Sequence, residues 1–286
     1  MKPLIPLILV AGLSAAPMAQ VQGGQSPVFV SRRDVVRIDV LVTERGRSVL
    51  GLQAGDFTVT DNGVPQKVDY ASFDELPLNV MLAFDASGSM AGARFDDLRA
   101  AGHAVVDLLR PDDSAGLVSF SHAVSLGADL THDLDAVRRA IDQGRAWGQT
   151  SLIDAAFVGL AVGGNDAGRS LLLVFSDGHD TTSWLDARAV IDVAKGANAA
   201  VCGVTAGRSR NPFLKDLVDV TGGDLVEVAS TNDLRATFTR LLAEYRLRYT
   251  IAYSPTGVTP GGWHTLRVSV SKRGATVKSR DGYQGG

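Results

Sequence analysis

The chain has 286 residues, of which 45% are hydrophobic and 21% are charged, and its formal net charge is −3. This is the composition of an ordinary globular protein that can bury a real core, as one large domain or two smaller ones. Because no cluster of lysine and arginine stands out, the composition argues against a nucleic-acid partner.

The first 19 residues have the layout of a secretory signal peptide. Lys2 precedes an apolar stretch over residues 4–13, and small residues follow as far as Ala19. An uncleaved membrane anchor is the alternative, but the apolar stretch is short for a bilayer span. We therefore predict a secreted or periplasmic protein without a membrane anchor after signal cleavage, and a disordered linker over residues 20–27.

Residues 28–75 are predicted to form a small antiparallel β segment. From Val36 onward, apolar and polar residues alternate, which is typical of a half-buried strand. An Asn-Gly pair at 62–63 lies between two further alternating runs, 57–60 and 67–70. Both residues of that pair tolerate positive φ, so the pattern predicts a hairpin that joins the two runs.

Residues 76–245 follow a different rhythm, in which apolar runs alternate with helical stretches. This alternation predicts an α/β domain with a mostly parallel sheet that is covered by helices on both faces. The predicted strands are 78–84, 116–121, 170–176, 199–205 and 224–229. The predicted helices are 93–110, 133–146, 151–162, 186–198, 211–221 and 231–245.

Residues 246–286 return to the strand-like period of two, in runs that start near Leu247 and Leu266. Neither terminal β segment has many strands alone. We hypothesise that the two segments pair into one small sandwich, with the α/β domain inserted between them. The last residues carry no apolar tail, so we expect no C-terminal anchor.

Cys202 is the only cysteine of the chain and lies in an apolar run, residues 199–204. A disulfide within the chain is therefore impossible, and we interpret the thiol as a small buried hydrophobic group. The exported protein must be stable through its core alone, which a chain of this length permits.

Oxygen-bearing side chains follow the strands of the α/β region. Asp85, Ser87 and Ser89 lie at i, i+2 and i+4, directly after the first apolar strand. Thr150 precedes a predicted helix and Asp177 follows another apolar strand, so both are expected at the same rim of the sheet. Together the five residues offer the hard oxygen ligands that Mg²⁺ prefers. For the first motif alone, a helix-capping loop is the alternative, since it uses the same residue types.

The order and spacing of these five residues resemble the metal-ion-dependent adhesion site of the von Willebrand factor type A (VWA) domain. The flanks also resemble a group of bacterial secreted "VWFA-related" proteins, through Gly51-Leu52, Asp56-Phe57, Asp61-Asn62-Gly63 and Arg280-Asp281-Gly282-Tyr283. The resemblance implies a Rossmann-like, doubly wound sheet with one divalent cation at its top. The cation is usually Mg²⁺, and the sequence leaves Mn²⁺ and Ca²⁺ open.

The resemblance also implies a role for each residue of the site. Ser87 and Ser89 would bind the cation directly. Asp85 and Asp177 would act directly or through water, and Thr150 would move in when a ligand arrives. One coordination position would stay open for a carboxylate of an unidentified protein partner. A degenerate site that serves only the fold is the alternative.

Three functions follow from this pattern. The leading one is a binding module that uses Mg²⁺ to hold an acidic residue of another protein. The second is a structural subunit of an envelope assembly, in which the metal only rigidifies the loops. The third is a metal-dependent hydrolase. Since no Gly-x-Ser-x-Gly surrounds the loop and His179 is the only candidate base, we expect no enzymatic activity.

Three neighbours of the motif have two interpretations each. His179 and Asp180 are either residues that shape a partner surface or solvated loop residues. Trp147 either stands exposed near the site or lies at the edge of the core.

Overall fold

A computed structural model describes residues 35–73, 76–164, 168–207 and 211–285. The predicted signal peptide, 1–19, and linker, 20–27, lie outside the described residues. The strands are β1 (Val36–Glu44), β2 (Arg47–Ser48), β3 (Phe57–Asp61), β4 (Val64–Gln66), β5 (Tyr70–Phe73), β6 (Leu78–Asp85), β7 (Ser114–Phe120), β8 (Val124–Thr131), β9 (Arg169–Ser176), β10 (Ala199–Ala206), β11 (Leu225–Val228), β12 (Tyr249–Tyr253), β13 (Gly262–Val270), β14 (Thr276–Lys278) and β15 (Gly282–Gly285).

The α-helices of the described residues are α1 (Ala93–Asp107), α2 (Leu134–Gln143), α3 (Leu152–Gly163), α4 (Ala187–Gly196), α5 (Pro212–Thr221) and α6 (Leu234–Arg246). Short 3-10 helices cover Ala54–Asp56, Gly88–Met90 and Thr231–Asp233. None of the helices in the described parts of the chain is long and apolar enough to cross a membrane.

The central sheet has six strands in the order β11-β10-β9-β6-β7-β8. All neighbours in it run parallel except β8, which is antiparallel to β7 at one edge. Every residue of β6 and β9 is buried, as expected for parallel strands that are covered on both faces. The predicted doubly wound α/β fold is confirmed. Within this sheet, β8 is the strand that the sequence analysis missed.

Helices cover both faces of this sheet. On one face, α1, α2 and α6 pack against side chains such as Leu82 and Phe84 of β6. On the other face, α3, α4 and α5 pack against Met81 and Ala83, the alternate residues of the same strand. Cys202 is buried and free within the first of these cores, as predicted.

The terminal β segments form two antiparallel sheets, in the orders β14-β1-β12-β5 and β15-β13-β3-β4. β1 pairs with β12 from Val36 opposite Tyr253 to Val40 opposite Tyr249. β3 pairs with β13 in the second sheet. Apolar side chains from both sheets, including Val59 and Ile251, share one core. The hypothesis that the terminal segments pair into one sandwich is confirmed.

The predicted hairpin around Asn62 and Gly63 needs one correction. Both residues have positive φ, at 47° and 82°, and they form a two-residue turn that places Asp61 opposite Val64. The strand that returns from the turn is therefore β4, not the predicted run 67–70. β5 instead joins the other sheet beside β12.

Two helices differ from their predicted bounds. The predicted helix 231–245 begins with a 3-10 turn, and α6 starts after it. The predicted helix 133–146 is shorter in the structure, because α2 ends before Gly144, whose backbone is extended.

A polar network joins the sandwich to the amino ends of the parallel strands. Arg169, the first residue of β9, pairs with Asp39 of β1 at 3.0 Å and donates to the Tyr245 carbonyl at 2.6 Å. The Tyr245 hydroxyl lies 2.8 Å from both Asp39 and the Ser170 carbonyl, so its one proton is shared between these two acceptors. The Thr250 hydroxyl also donates to Asp39, at 3.0 Å. The α/β domain and the sandwich are thus held together through buried charge as well as through two covalent connections.

Asp113 ties together the two ends of the inserted α/β domain. Its carboxylate accepts from the backbone N–H of Leu78, where β6 begins, at 2.7 Å. It also accepts from the guanidinium of Arg246, where α6 ends, at 2.6 Å. The chain therefore enters and leaves this domain at one place.

Candidate metal centre

The candidate site lies where the strand order of the central sheet reverses. From β6 the chain first adds β7 on one side, and β9 is later added on the other side. A crevice opens beyond the carboxyl ends of two strands at such a reversal, and ligands bind there in open α/β sheets. Asp85 ends β6 and Ser176 ends β9, so both residues lie at this crevice. The sandwich contacts the opposite end of β9, at Arg169.

Three of the five predicted residues form one hydrogen-bonded chain. The hydroxyl oxygens of Ser87 and Ser89 lie 2.9 Å apart. The Ser89 hydroxyl also donates to Oδ1 of Asp177 at 2.9 Å, although the two residues are far apart in sequence. The fold therefore brings the first and the last predicted motif into direct contact.

Asp85 lies beneath this chain of oxygens and is completely buried. Its carboxylate accepts from the backbone N–H of Ser87 at 2.9 Å and from the Ser176 hydroxyl at 2.7 Å. Burial raises the pKa of the Asp85 carboxyl, hydrogen bonds from Ser87 and Ser176 oppose that rise, and the negative charge of Asp177 adds to it. These hydrogen-bond partners are neutral, and no cationic side chain of the described residues pairs with the Asp85 carboxyl.

Thr150 stands in the neighbouring loop, but its hydroxyl makes no hydrogen bond to the other four residues in the described structure. Its backbone N–H donates to the Thr181 hydroxyl at 3.0 Å, and its carbonyl accepts from the Thr181 N–H at 2.8 Å. The carbonyl of Gly148 in the same loop accepts from the N–H of Gly88 at 2.9 Å. The backbone thus brings Thr150 to the site, while its side chain stays apart from the chain of oxygens.

Arg94 and Ser176 belong to the site, and the sequence analysis did not single them out. Arg94, in the first turn of α1, pairs with Oδ2 of Asp177 at 2.9 Å and donates to the Ser89 carbonyl at 3.0 Å. Arg94 is a basic residue one helical turn beyond the serines, and Ser176 directly precedes Asp177. Those positions were the only sequence indications of their roles.

The loops around the site are fixed by acidic side chains. Asp180 accepts from the N–H of Ile153 at the start of α3, at 3.0 Å, so its role is structural. Asp154 in the same helix accepts from the backbone N–H of Trp184 at 3.0 Å. Trp184 is 93% exposed. Trp147 is also exposed, and its backbone N–H donates to the Ala86 carbonyl beside the site at 2.8 Å.

Replacing Gly148 with alanine is expected to destabilise the protein by about 1–2 kcal/mol, the usual cost of a left-handed residue with a Cβ. Gly148 has φ of 81°, and an added Cβ would lie 2.7 Å from Nδ1 of His122. Urea unfolding measures the loss. Gly178→Ala in the opposite loop is the control, because an added Cβ there meets nothing within 4 Å. Equal stability of the two variants would contradict this account of Gly148.

The donor set fits a hard divalent cation. Among the described residues, no cluster of three or more histidine, cysteine or acidic side chains is placed to hold a metal ion. A cation in the crevice would therefore need hydroxyl oxygens beside the two carboxylates, and oxygen ligands are what Mg²⁺, Mn²⁺ and Ca²⁺ prefer. The buried Asp85 carboxyl, with its neutral partners, supports the same interpretation.

Residues 80–179 match the family model of the von Willebrand factor type A domain. The chain contains a VWA domain. The matched range includes all five residues of the candidate site. An uncharacterized protein of Synechocystis sp. is 28% identical over 109 residues, which are 37% of this chain and 26% of that protein. The chain thus spans about a quarter of the length of that relative.

Solved structures share the fold of this chain. A von Willebrand factor type A structure from Catenulispora acidiphila is 13% identical, covers 89% of this chain and 75% of its own, and has a TM-score of 0.53. Proximal thread matrix protein 1 of the mussel byssus is 16% identical over 59% of this chain and 48% of its own, with a TM-score of 0.51. A further structure of that mussel protein, described as having a zinc-occupied MIDAS motif, is 13% identical over 64% of this chain and 49% of its own, with a TM-score of 0.53. At these identities the likeness shows the fold alone.

Proposed function

We propose that this protein is a secreted or periplasmic binding module whose VWA domain holds a divalent cation, Mg²⁺ in the first place, and binds a carboxylate of a partner protein. The ligands in this proposal are Asp85, Ser87, Ser89, Thr150 and Asp177. The observation that carries it is the hydrogen-bonded chain of Ser87, Ser89 and Asp177 above the buried Asp85.

The residues of the site suit a cation that must still accept an external ligand. A bound Mg²⁺ would supply positive charge and a coordination position for a carboxylate. The two serine hydroxyls are neutral ligands, so they would leave much of that charge unbalanced. Ser176 holds Asp85 in place from below, which keeps the carboxyl at the base of the crevice. The zinc-occupied motif named for the mussel protein supports cation binding on this fold.

Binding, rather than catalysis, is the activity we propose. A nucleophilic serine needs a base within hydrogen-bond reach. In the described structure, the hydroxyls of Ser87 and Ser89 bond to each other and to Asp177, and not to a histidine. His179, the candidate base in the sequence, is exposed two residues after Asp177. The location outside the cytoplasm rests on the first 19 residues, which have the layout of a signal peptide.

Addition of Mg²⁺ or Mn²⁺ is expected to raise the melting temperature of the protein, and Asp177→Asn is expected to remove that rise. A cation at 100 times its dissociation constant stabilises the folded state by about 2.7 kcal/mol. Differential scanning calorimetry with a chelator and across a cation titration measures the effect. Asp192→Asn is the matched control, because Asp192 pairs with Lys195 on the surface of α4.

A rise that is equal in the wild type, Asp177→Asn and Asp192→Asn would show that the cation binds elsewhere and would overturn the proposed site. Carboxylate binding is tested separately, by titrating an aspartate-containing peptide into the cation-loaded protein. Cation binding without any carboxylate binding would instead support a structural role of the metal in an envelope assembly.

A further inference from the structure

Arg94 places a positive charge at the candidate site, in addition to the charge of the proposed cation. Its guanidinium contacts Oδ2 of Asp177 at 2.9 Å, and the Ser89 hydroxyl donates to Oδ1 at 2.9 Å. Both oxygens of Asp177 are therefore engaged by groups of this chain. The same guanidinium nitrogen donates to the Ser89 carbonyl at 3.0 Å, which fixes Arg94 over the serine loop.

We propose that Arg94 sets the cation affinity of the site by competing with the cation for Asp177. This inference rests on the proposed function, since it concerns the same five ligands. It goes beyond that function because it predicts that the site binds a cation weakly on its own, and that a residue outside the ligand set causes the weakness.

Burial decides which partner of the ion pair gives way. The side chain of Arg94 is 42% exposed, whereas that of Asp177 is 4% exposed. Asp177 is held in place by Ser89, but Arg94 can turn towards solvent at small cost. A cation that approaches Asp177 must therefore displace the guanidinium or stay close to its charge, and either event weakens binding. Arginine remains protonated at all relevant pH values, so the competition persists across them.

The same charge favours an external carboxylate. A guanidinium released from Asp177 has donors directed at the surface, and arginine pairs with carboxylates through two parallel hydrogen bonds. A carboxylate on the cation would then lie between two positive charges. Arg94 therefore disfavours the cation alone and favours the cation together with an acidic partner.

The test is the affinity for Mn²⁺ alone, followed through the electron paramagnetic resonance of the free ion. Arg94→Gln is expected to bind Mn²⁺ about tenfold more tightly than the wild type, which corresponds to about 1.4 kcal/mol. Arg94→Lys keeps the charge and is expected to stay near the wild type. Arg138→Gln is the matched control, because Arg138 also pairs with surface carboxylates, Asp107 and Asp135.

Arg138 lies too far from the candidate site for its charge to affect cation binding. Asp107 ends α1 and Arg94 lies near its start, so the helix separates the two pairs by about 20 Å. That distance exceeds the screening length of about 8 Å at physiological ionic strength. Arg138→Gln is therefore expected to bind Mn²⁺ as the wild type does.

Equal or weaker Mn²⁺ binding by Arg94→Gln would overturn the inference and leave the proposed function intact. No binding at millimolar Mn²⁺ by any variant would overturn the proposed function, and the inference with it. Calorimetric melting of Arg94→Gln and Arg94→Lys without metal verifies that both variants are folded, so that a change in affinity reports on the site.

Discussion

Replacing Arg169 with methionine is expected to lower the free energy of unfolding by about 3 kcal/mol, because the loss of one partner leaves a charge without compensation in the protein interior. The Arg169 side chain is 3% exposed and contacts Asp39 at 3.0 Å. Its guanidinium also lies over the Tyr245 ring, 4.8 Å from the centroid. Methionine retains much of the volume but none of these polar contacts. Urea unfolding at neutral pH measures the difference.

The pH dependence of that loss distinguishes the ion pair from simple packing. Burial by itself would raise the pKa of the Asp39 carboxyl, but the charge of Arg169 and the Tyr245 hydroxyl hold that pKa below its ordinary value. The pair therefore stabilises the protein above the unfolded-state pKa of about 3.9, and the contribution is lost as the pH falls through the lower folded-state value. The difference between the wild type and Arg169→Met should shrink in that acidic range.

Arg138→Met is the control for this experiment, because Arg138 pairs with exposed carboxylates on the surface. Surface pairs contribute about 0–1 kcal/mol, so this variant should remain near the wild type. A loss for Arg169→Met that is equally small, or one that does not change between neutral and acidic pH, would contradict the role assigned to the Arg169–Asp39 pair.

Asp61→Ala is expected to destabilise the sandwich by about 3–5 kcal/mol, because it removes the acceptor of the buried Tyr253 and His264 and of the half-buried Tyr283. Asp61 is completely buried. Its carboxylate accepts from the hydroxyls of Tyr253 and Tyr283, both at 2.8 Å, and contacts Nδ1 of His264 at 2.7 Å. Without it, Tyr253 and His264 would stay buried and lose this hydrogen-bond partner. Urea unfolding measures the loss.

Asp61→Asn should be milder than Asp61→Ala, because the amide keeps one acceptor oxygen for the same neighbours. Asp281→Ala is the control, since Asp281 is exposed in the turn before β15. Surface substitutions of this kind usually change stability by about 0.5 kcal/mol or less. If Asp61→Ala and Asp281→Ala unfolded at the same urea concentration, the buried cluster would not have the structural role described here.

The sequence predicts the ligands at the strand ends better than it predicts their surroundings. Asp85 ends one parallel strand and Asp177 follows another, and the carboxyl ends of such strands lie at the same edge of the sheet for any loop conformation. The position of the Thr150 hydroxyl depends on a long loop, and no periodicity determines that. Arg94 is recognisable only in three dimensions, because its partner Asp177 is far away in sequence.

The errors in the strand assignments have similar causes. β8 has apolar residues at alternate positions from Val124 to Leu130, which is the pattern of a half-buried strand, and the sequence analysis overlooked it. In the sandwich, the alternation of apolar and polar residues identifies strands, but it does not show which strands pair with each other. The motif at Asp61 and the motif at Tyr283 both resemble a known family, and the structure shows why they occur together: the two side chains share a hydrogen bond.

The inserted position of the α/β domain dictates an order of folding. Val40 of β1 pairs with Tyr249 of β12, so the first strand of the sandwich must wait for its main partners, β12 and β14, which are synthesised after the whole α/β domain. Closing so long a loop has an entropic cost while the intervening chain is unfolded. The α/β domain, whose two ends meet at Asp113, removes most of that cost once it has folded. Until then most of β1 has only the short strand β2 as a partner, which leaves a half-apolar strand that is prone to aggregate, and the rate at which the α/β domain forms sets how long that exposure lasts.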